Sequence, residues 1–469
     1  MSEQDKRLID LRQAKSLAES GELDMAWSTV DAYLRKNPDD AQALLLASYI
    51  LDKGKHLSVA FHLARRVTEL EPNRFEAWNN YGRVADQIWM IDVAERAHNR
   101  AIKAAVKGRD KALSLTNLAA LYINCGDFAK AEPLCRQALM ADPECLKAKA
   151  NLGFCQLAAR NWAEGWDNYK FSLGSKQRKM VKYRDEPEWD GEKGQVVAIY
   201  GEQGLGDEIS FASMLPDAIA DCERVILDCD PRLHGLFKRS FPQAHVYGTR
   251  NNGSVYWEPE DRVIDASCAM GSLGGIYRRS DDAFTGKPYL KTCPDRTAMW
   301  KALFSGKGKP CIGIAWTGGM AWTGAKFRQW TLDDLLPIFN SIDAHWVCLQ
   351  YKDAAEEISA FKARHPEVDI VQYPYATLTQ DYDDTAALVA GLDRVISMQT
   401  AVVHLCGAIG KQCDVFVPKT SQWRYGEKFT SLPWYQSVNV IRQAIRGHWK
   451  NTIEEYAAML ETGERRETA

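Results

Sequence analysis

Two short stretches of the chain carry residues that could do chemistry, and the first is a glycine-rich loop. Residues 201–207 read GEQGLGD and follow a β-branched run, VVAIY, at 196–200. Gly204 and Gly206 allow the backbone to turn sharply and to come close to a ligand. The glycine spacing differs from the dinucleotide-binding fingerprint, and no acidic ribose partner follows at the expected distance. Asp207 stands where the next helix begins, so its carboxylate can cap that helix.

The second stretch, residues 397–404, reads SMQTAVVH and opens a helix after the run RVISM. A helix N-terminus offers free N–H groups and a partial positive charge, which together suit a diphosphate. Thr400 adds a hydroxyl donor and His404 an imidazole, although a lone histidine is more often a packed side chain. We therefore predict that Gln399, Thr400, Ala401 and His404 bind a ligand that carries a diphosphate.

Basic residues elsewhere could neutralise such phosphates. Lys326 and Arg328 lie in a polar loop after the run IGIAWTGG, and an arginine fork matches phosphate oxygens. Arg424 and Lys352 rank below them, because most lysines and arginines taken singly are solvated. Three tryptophans near the same loop could stack on a base or a sugar, or could pack in the core. They are Trp316, Trp322 and Trp330.

Both stretches lie where a strand gives way to a helix. Short β-branched runs alternate with amphipathic segments from about residue 190, and the pattern restarts after Pro310 with five strand candidates. This alternation predicts two Rossmann-like domains, at 191–305 and at 306–469, the second with a C-terminal helix. Ligands of such sheets bind outside the carboxyl ends of the strands.

The first third of the chain repeats itself. Ala26, Ala60 and Ala94 are spaced by 34 residues, and prolines recur with the same period. The period and the small residues resemble the tetratricopeptide repeat (TPR), which predicts a superhelix of about five repeats over residues 1–174. Equivalent asparagines occur in three repeats, and their amides could pair with the backbone of an extended peptide or could simply be solvated. They are Asn80, Asn117 and Asn151.

A basic segment separates the repeats from the strands. The run GSKQRKMVKYR at 174–184 has five basic residues and no acidic one. We predict a solvated linker over residues 175–190, with contact to phosphate or to an acidic acceptor as the less favoured alternative.

The composition excludes several classes of protein. Among 469 residues, 59 Lys and Arg oppose 62 Asp and Glu, a net charge of −3, so nothing marks a nucleic-acid or membrane-surface protein. The twelve cysteines form no CxxC pair, and none lies near histidines at zinc-finger spacing. No apolar run would span a bilayer and no secretory signal is evident, so we expect a cytoplasmic protein.

The motifs also occur in a recognisable order: EPEWDGE, GEQGLGD, IGIAWTGG, the block from DYDDTAALVAG to CDVFVP, and QWRYG. In this order they resemble the bacterial TPR proteins whose C-terminal region is similar to the ADP-heptosyltransferases, glycosyltransferase family 9. The resemblance covers nearly the whole chain, and the plan is also similar to the O-GlcNAc transferases. It implies an α + α/β protein in which a TPR solenoid precedes a GT-B-like pair of Rossmann-like domains.

The resemblance implies roles for individual residues. In that family the aspartate that matches Asp207 is the catalytic base, since a carboxylate beside a sugar hydroxyl can accept its proton. The chain departs from the family at Gln399 and Gln422, where the family has aspartates. The amide of Gln399 can form hydrogen bonds but cannot act as a base, which leaves the donor and the activity itself open. The family implies an inverting enzyme without metal or cofactor.

The leading functional prediction is a glycosyltransferase that moves a sugar from a nucleotide-sugar to a hydroxyl of a protein or peptide held in the TPR groove. One alternative is an interaction scaffold without catalysis, which Gln399 and Gln422 favour. Another is a transferase acting on a glycan, a small molecule or a nucleic-acid base. The sequence leaves the sugar, the nucleotide and the oligomeric state open.

Overall fold

The computed structural model describes residues 3–250, 256–319 and 324–462, with side chains from residue 11. The chain divides into two compact units. We call residues Met1–Ile123 and Asp127–Cys155 the repeat unit, and residues Asn124–Gly126 and Gln156–Ala469 the α/β unit. No helix in the described ranges is both long and apolar enough to cross a membrane.

The repeat unit consists of helices that follow one another through short turns. They are α1 (Glu3–Ser20), α2 (Leu23–Leu34), α3 (Ala41–Lys53), α4 (Leu57–Leu70), α5 (Phe75–Gln87), α6 (Ile91–Ala104), α7 (Gly108–Asn124), α8 (Phe128–Ala141) and α9 (Leu146–Ala158). The division between the units falls within α9, after Cys155. The next helix, α10 (Trp162–Tyr169), belongs to the α/β unit.

Small residues explain why the helices of the repeat unit pack closely. Ala26, Ala60 and Ala94 are fully buried, each on the second helix of a pair. A Cβ atom on Gly82 would lie 2.8 Å from the ring of His98, so this crossing of α5 and α6 requires glycine. The 34-residue period therefore corresponds to pairs of helices, and the prediction of TPR-like helical repeats is confirmed.

The α/β unit contains two separate sheets, the first of which is parallel with strand order β3-β2-β1-β4. Its strands are β1 (Val196–Tyr200), β2 (Arg224–Asp228), β3 (His245–Tyr247) and β4 (Ala266–Ala269). The helices that follow α10 up to residue 305 are α11 (Leu205–Phe211), α12 (Leu215–Asp221), α13 (His234–Ser240), α14 (Leu273–Tyr277) and α15 (Pro294–Ser305). Four of the five residues of β1 are buried, as expected for a parallel strand covered on both faces.

The second sheet has the order β10-β11-β9-β8-β5-β6-β7. Its strands are β5 (Cys311–Ala315), β6 (His345–Cys348), β7 (Ile370–Gln372), β8 (Arg394–Met398), β9 (Cys413–Val417), β10 (Ser431–Leu432) and β11 (Tyr435–Arg442). The remaining helices are α16 (Leu336–Ser341), α17 (Ala355–Arg364), α18 (Pro374–Thr377), α19 (Tyr382–Gly391), α20 (Ala401–Ile409) and α21 (Lys450–Thr462). The sequence predicted five of these strands and missed β10 and β11; β11 extends the parallel sheet beside β9, and β10 pairs with it antiparallel.

An aromatic cluster anchors α10 within the α/β unit. The indole N–H of Trp162 donates to Asp281 Oδ1 at 2.9 Å, and that of Trp166 donates to the carbonyl of Arg278 at 2.8 Å. Trp166 also packs edge-on against Trp423, with ring centroids 5.7 Å apart. Helix α10 is thus part of the core of the α/β unit, and the extent of the repeats to residue 174 stays a prediction.

The basic segment before β1 differs from the prediction at one residue. Arg178 is fully buried, and its guanidinium donates to Glu202 Oε1 at 3.1 Å, to the carbonyl of Tyr169 and to the hydroxyls of Ser172 and Ser272. The prediction of a solvated linker is therefore wrong for Arg178, because a carboxylate of the glycine-rich loop draws this charge into the core.

Candidate functional site

The glycine-rich loop lies at the point where the order of the first sheet reverses. Strands β2 and β3 follow on one side of β1, whereas β4 pairs on its other side, so the loop after β1 opens at a topological switch point. Ligands of parallel sheets bind at such points. A Cβ atom at Gly201 would lie 2.3 Å from the carboxylate of Glu208, so the loop folds tightly over the first turn of α11.

Each acidic side chain of this loop and of the first turn of α11 has its own arginine. The pairs are Glu202 with Arg178, Asp207 with Arg424, and Glu208 with Arg250. The side chains of Glu202 and Glu208 are each 1% exposed, whereas that of Asp207 is 28% exposed. Two of the pairs are therefore structural, and Asp207 is the carboxylate of the three that solvent or a substrate can reach.

Both oxygens of Asp207 have partners. Oδ2 accepts a hydrogen bond from the backbone N–H of Gly204 at 3.0 Å, and Oδ1 lies 2.8 Å from Nη1 of Arg424. The first contact closes the N-terminus of α11, so Asp207 is a helix cap in this state. A role as a general base would come in addition to capping.

The predicted phosphate-binding stretch occupies the corresponding place in the second sheet. Strands β6 and β7 extend from β5 on one side and β8 pairs on the other, so the loops after β5 and β8 meet at a second switch point. A Cβ atom on Gly318, after β5, would lie 2.7 Å from Thr400 Cγ2 and 2.8 Å from the carbonyl of Gln399. Thr400 is the N-cap residue of α20, and its hydroxyl lies 3.3 Å from that of Ser397 rather than capping the helix.

Buried polar atoms without partners surround this helix start. Gln399 is only 4% exposed, yet neither its Nε2 nor its Oε1 has a hydrogen-bond partner among the described residues. The same holds for Nε and Nη2 of Arg424 and for the hydroxyl of Tyr425. Unpaired buried polar groups are costly, so their concentration here is what a site for a polar ligand would require.

The two switch points meet inside the α/β unit, because α11 packs against α20. A Cβ atom on Gly206 would lie 3.0 Å from the ring of His404 and 3.2 Å from Cα of Ala401, so a larger residue there would push against α20. The structure therefore brings Gly206, Asp207, Ala401 and His404 together, along with Arg424.

His404 is a neutral residue of this contact. Burial lowers the pKa of His404 to about 3, and the charge of Arg424 adds to the effect while Asp207 opposes it. Its Nδ1 lies 3.2 Å from the hydroxyl of Tyr435. An imidazole that stays uncharged at neutral pH can donate or accept a hydrogen bond, but it brings no positive charge to a phosphate.

The other basic residues that the sequence predicted as phosphate ligands differ in their burial. Arg328 is 3% exposed, and burial lowers the pKa of its guanidinium. Lys326 and Lys352 are exposed. The contact with Asp207 gives Arg424 a more direct link to the site than the sequence ranking assigned to it.

The tryptophans near the basic loop pack in the core. Trp316 is fully buried and donates from its indole to Glu357 at 3.0 Å. Trp330 packs edge-on against Phe416, with ring centroids 4.8 Å apart. Trp322 lies outside the described residues. Trp316 and Trp330 therefore pack in the core and do not stack on a ligand.

The acidic block before α19 is structural. Asp381 accepts from the backbone N–H of Asp383 at 3.0 Å and so caps α19. Asp383 is buried and forms a two-pronged ion pair with Arg239, at 2.8 and 2.6 Å. Within the described residues, no three His, Cys, Asp or Glu side chains are arranged to hold a metal ion.

The asparagines predicted to line the TPR groove link neighbouring repeats. The amide nitrogen of each donates to the preceding repeat: Asn80 to the hydroxyl of Ser48 at 2.8 Å, Asn117 to Asn79 Oδ1 at 2.9 Å, and Asn151 to the carbonyl of Thr116 at 3.1 Å. A peptide would compete with these contacts for the amides, and binding of an acceptor there stays a prediction.

Sequence reasoning missed four residues that hold the glycine-rich loop in place. They are Arg178, Glu202, Glu208 and Arg250. Glu202 and Glu208 lie on either side of Gly204 and Gly206. Two acidic residues beside a tight turn were the signal in the sequence that basic partners are needed. Their arginines are distant in sequence or stand in an unremarkable basic run, so the pairing itself was not predictable.

Comparisons with known proteins do not assign a family to the chain. No family model matches the chain. Protein FlbA of Caulobacter vibrioides is 28% identical over 449 residues, which cover 91% of this chain and 74% of that protein.

The similar solved structures include TPR proteins. A thermophilic TPR protein of Thermus thermophilus covers 36% of this chain and 91% of its own, with 17% identity and a TM-score of 0.32. The pilF protein of Pseudomonas aeruginosa covers 51% of this chain and 94% of its own, with 12% identity and a TM-score of 0.36. The type IV pilus biogenesis factor PilW covers 35% and 74%, with 18% identity and a TM-score of 0.33.

Proposed function

We propose that the α/β unit is a glycosyltransferase with the GT-B plan, which transfers a sugar from a nucleotide-sugar to a hydroxyl group. The observation that carries the proposal is the meeting of two switch points. Asp207, after β1 of one parallel sheet, lies next to the start of α20, after β8 of the other. A transferase of this kind needs a base for the acceptor and a phosphate cradle for the donor within reach of each other.

The donor would bind against the second sheet. The start of α20 supplies backbone N–H groups and the positive end of a helix dipole. Thr400 adds a hydroxyl, Arg424 and Arg328 add buried charge, and the unpaired amide of Gln399 could read a hydroxyl of the sugar. Cations and a helix terminus can stabilise a leaving diphosphate without a metal ion.

The acceptor would approach from the first sheet. Asp207 is the reachable carboxylate of the three around the loop, and it would take the proton of the attacking hydroxyl. Glu202 and Glu208 are excluded from this role by their burial and their ion pairs. We further propose that the repeat unit selects a protein or peptide acceptor, as TPR-like arrays present surfaces suited to extended segments.

The test is a panel of nucleotide-sugars and free nucleoside diphosphates, with thermal unfolding of the full chain as the readout. A donor at 100 times its dissociation constant should stabilise the fold by about 2.7 kcal/mol. Arg424→Met should abolish the shift. Arg394→Lys, which alters an arginine at the opposite end of β8, should retain it. If no nucleotide in the panel shifts the unfolding transition, the proposed donor site is wrong.

One observation favours the second candidate, a scaffold without catalysis. Both oxygens of Asp207 are engaged, by Gly204 and Arg424, so its contacts are fully accounted for by capping and ion pairing. Gln399 also favours the scaffold, because it is a neutral residue where the similar family has an aspartate. Under this alternative, a nucleotide could bind while no sugar is ever transferred or hydrolysed.

A further inference from the structure

Arg442, the last residue of β11, holds a loop instead of pairing with an acid. Its Nε donates to the carbonyl of Phe429 at 2.9 Å, and its Nη1 donates to the carbonyl of Gly426 at 3.1 Å. Its Nη2 donates to the carbonyl of Phe429 at 2.7 Å and also to that of Tyr425. In the described part of the chain, every hydrogen bond of this guanidinium therefore goes to a backbone carbonyl of one loop.

The position of Arg442 follows from the register of the sheet. Arg442 pairs with Val417, the last residue of β9, and the chain continues from there into residues 418–429. The loop leaves β9 and folds back over the end of β11, where a planar, five-donor group can reach three carbonyls at once. Burial and the nearby charge of Arg160 lower the pKa of Arg442 to about 10, so it remains a cation at neutral pH.

The loop that Arg442 holds carries the cation of the candidate site. Arg424 lies one residue before the first of the three carbonyls, and its guanidinium packs 4.5 Å from the ring centroids of Phe211 and Trp423. The hydroxyl of Ser421 closes the same loop by donating to the carbonyl of Gly426 at 2.9 Å. A shift of this loop would move Arg424 relative to Asp207.

We propose that Arg442 is a positioning residue that fixes the 423–429 loop and so sets the reach of Arg424 to Asp207 and to a bound phosphate. Its effect on phosphate binding rests on the proposed donor site, whereas its effect on the Arg424–Asp207 contact does not. Lysine would keep the charge of Arg442 but lacks the planar guanidinium whose separate nitrogens reach these carbonyls. Arg442→Lys should therefore loosen the loop while leaving the net charge of the protein unchanged.

The matched control is Arg394→Lys in the full-length protein. Arg394 is a half-buried arginine at the amino end of β8 in the same sheet, paired with Asp414, and it lies outside the candidate site. Both variants lose one multidentate guanidinium, so both should lower the unfolding temperature. A purely structural role for Arg442 predicts that the two variants behave alike in every other respect.

Hydrogen exchange tests the positioning directly. In Arg442→Lys the backbone amides of residues 423–429 should exchange faster, and so should the amide of Gly204, which Asp207 holds. Arg394→Lys should leave both segments protected as in the wild type. Unchanged exchange at Gly204 in Arg442→Lys, or an equal rise in both variants, would overturn the proposal.

Calorimetry with inorganic pyrophosphate and with nucleoside diphosphates tests the consequence for binding. Arg442→Lys should bind the probe about tenfold more weakly, the cost of one weakened charge-assisted hydrogen bond. Arg394→Lys should bind it like the wild type, and wild-type affinity in Arg442→Lys would overturn the link to binding. If the wild type binds neither probe, the donor site fails, and the exchange experiment alone decides the role of Arg442.

Discussion

The repeat unit and the α/β unit use amide side chains in opposite ways. In the repeat unit, Asn80, Asn117 and Asn151 each donate to the preceding repeat, so the amides hold the array together. In the α/β unit, the amide of Gln399 is more deeply buried than these asparagines, yet both of its polar atoms lack partners in the described residues. The same chemical group is therefore structural in one unit and available to a ligand in the other.

This difference in hydrogen bonding between the two units indicates which of them is suited to bind a polar ligand. A buried polar group that has no partner costs free energy that folding must recover elsewhere, so such groups persist where something else requires them. In the α/β unit, Gln399 at the start of α20 is such a group. The repeat unit instead presents amides already engaged, so peptide binding there would depend on other groups of the array or on exchange of these hydrogen bonds.

The largest expected effect on folding concerns the boundary between the two units. A protein that starts at Gln156 should unfold cooperatively, whereas one that starts at Glu186 should not fold. The shorter protein lacks Trp162, Trp166 and Arg178, and it leaves the carboxylate of Glu202 buried without its arginine. Breaking a buried pair and deleting a buried tryptophan cost about 3–5 kcal/mol each, against about 5–15 kcal/mol for a whole domain. Near-ultraviolet circular dichroism during melting checks this, and equal transitions in both proteins would contradict it.

The next effect separates catalysis from capping at Asp207. If Asp207 is the base, Asp207→Asn should lower sugar transfer by about 10²–10⁴ with little change in donor affinity. Asp381→Asn is the matched control, because Asp381 also caps a helix and also pairs with an arginine, Arg296, at 2.9 Å. Release of nucleoside diphosphate measures both variants. Similar turnover in the two would assign Asp207 to capping and favour the scaffold alternative.

The third prediction concerns the acid stability of the repeat unit. Burial lowers the pKa of His98 to about 4, below its ordinary value of 6.5. The folded state therefore resists protonation, and its stability is full above pH 6.5 and falls as the pH drops towards 4. The loss between pH 7 and pH 5 should be about 2 kcal/mol. Hydrogen exchange in α5 and α6 measures it, and His98→Gln should remove most of this dependence. A flat profile in the wild type would show that the pKa of His98 is the same in the folded and unfolded states.

The smallest expected effect tests the phosphate cradle. Thr400→Ala should weaken nucleoside diphosphate binding about tenfold, because one hydrogen bond to a charged group is lost. Thr385→Ala is the matched control, since that hydroxyl is buried away from the site and donates to the carbonyl of Ala376 at 2.6 Å within the same unit. Calorimetry compares the two variants. Equal affinities would place the diphosphate away from the start of α20.

Much of the fold could be predicted because local patterns determine it. The 34-residue period indicated the helical repeats, and nine short apolar runs indicated the strands from β1 to β9. The run at 435–442 was missed because its alternation is interrupted by polar residues, and its place beside β9 depends on a partner strand distant in the chain.

Only part of the candidate site could be predicted, namely the residues that carry a local signal in the sequence. Glycines and a carboxylate after a strand, and a threonine before a helix, are local signals, so Gly206, Asp207 and Thr400 could be selected from the sequence. That Gly206 touches His404, and that Arg424 pairs with Asp207, involves segments about two hundred residues apart. No spacing in the sequence encodes such contacts.

The sequence by itself therefore determined the two kinds of architecture and the residues able to do chemistry, because periodicity, glycine loops and helix starts are properties of neighbouring residues. Only the tertiary structure decided what each residue does. It buried Arg178 against Glu202, left Gln399 without a partner, and made Asp207 the most exposed acid of its loop. Burial and pairing are set by which distant segments pack together, and it is burial and pairing that separate a structural charge from one that can act on a substrate.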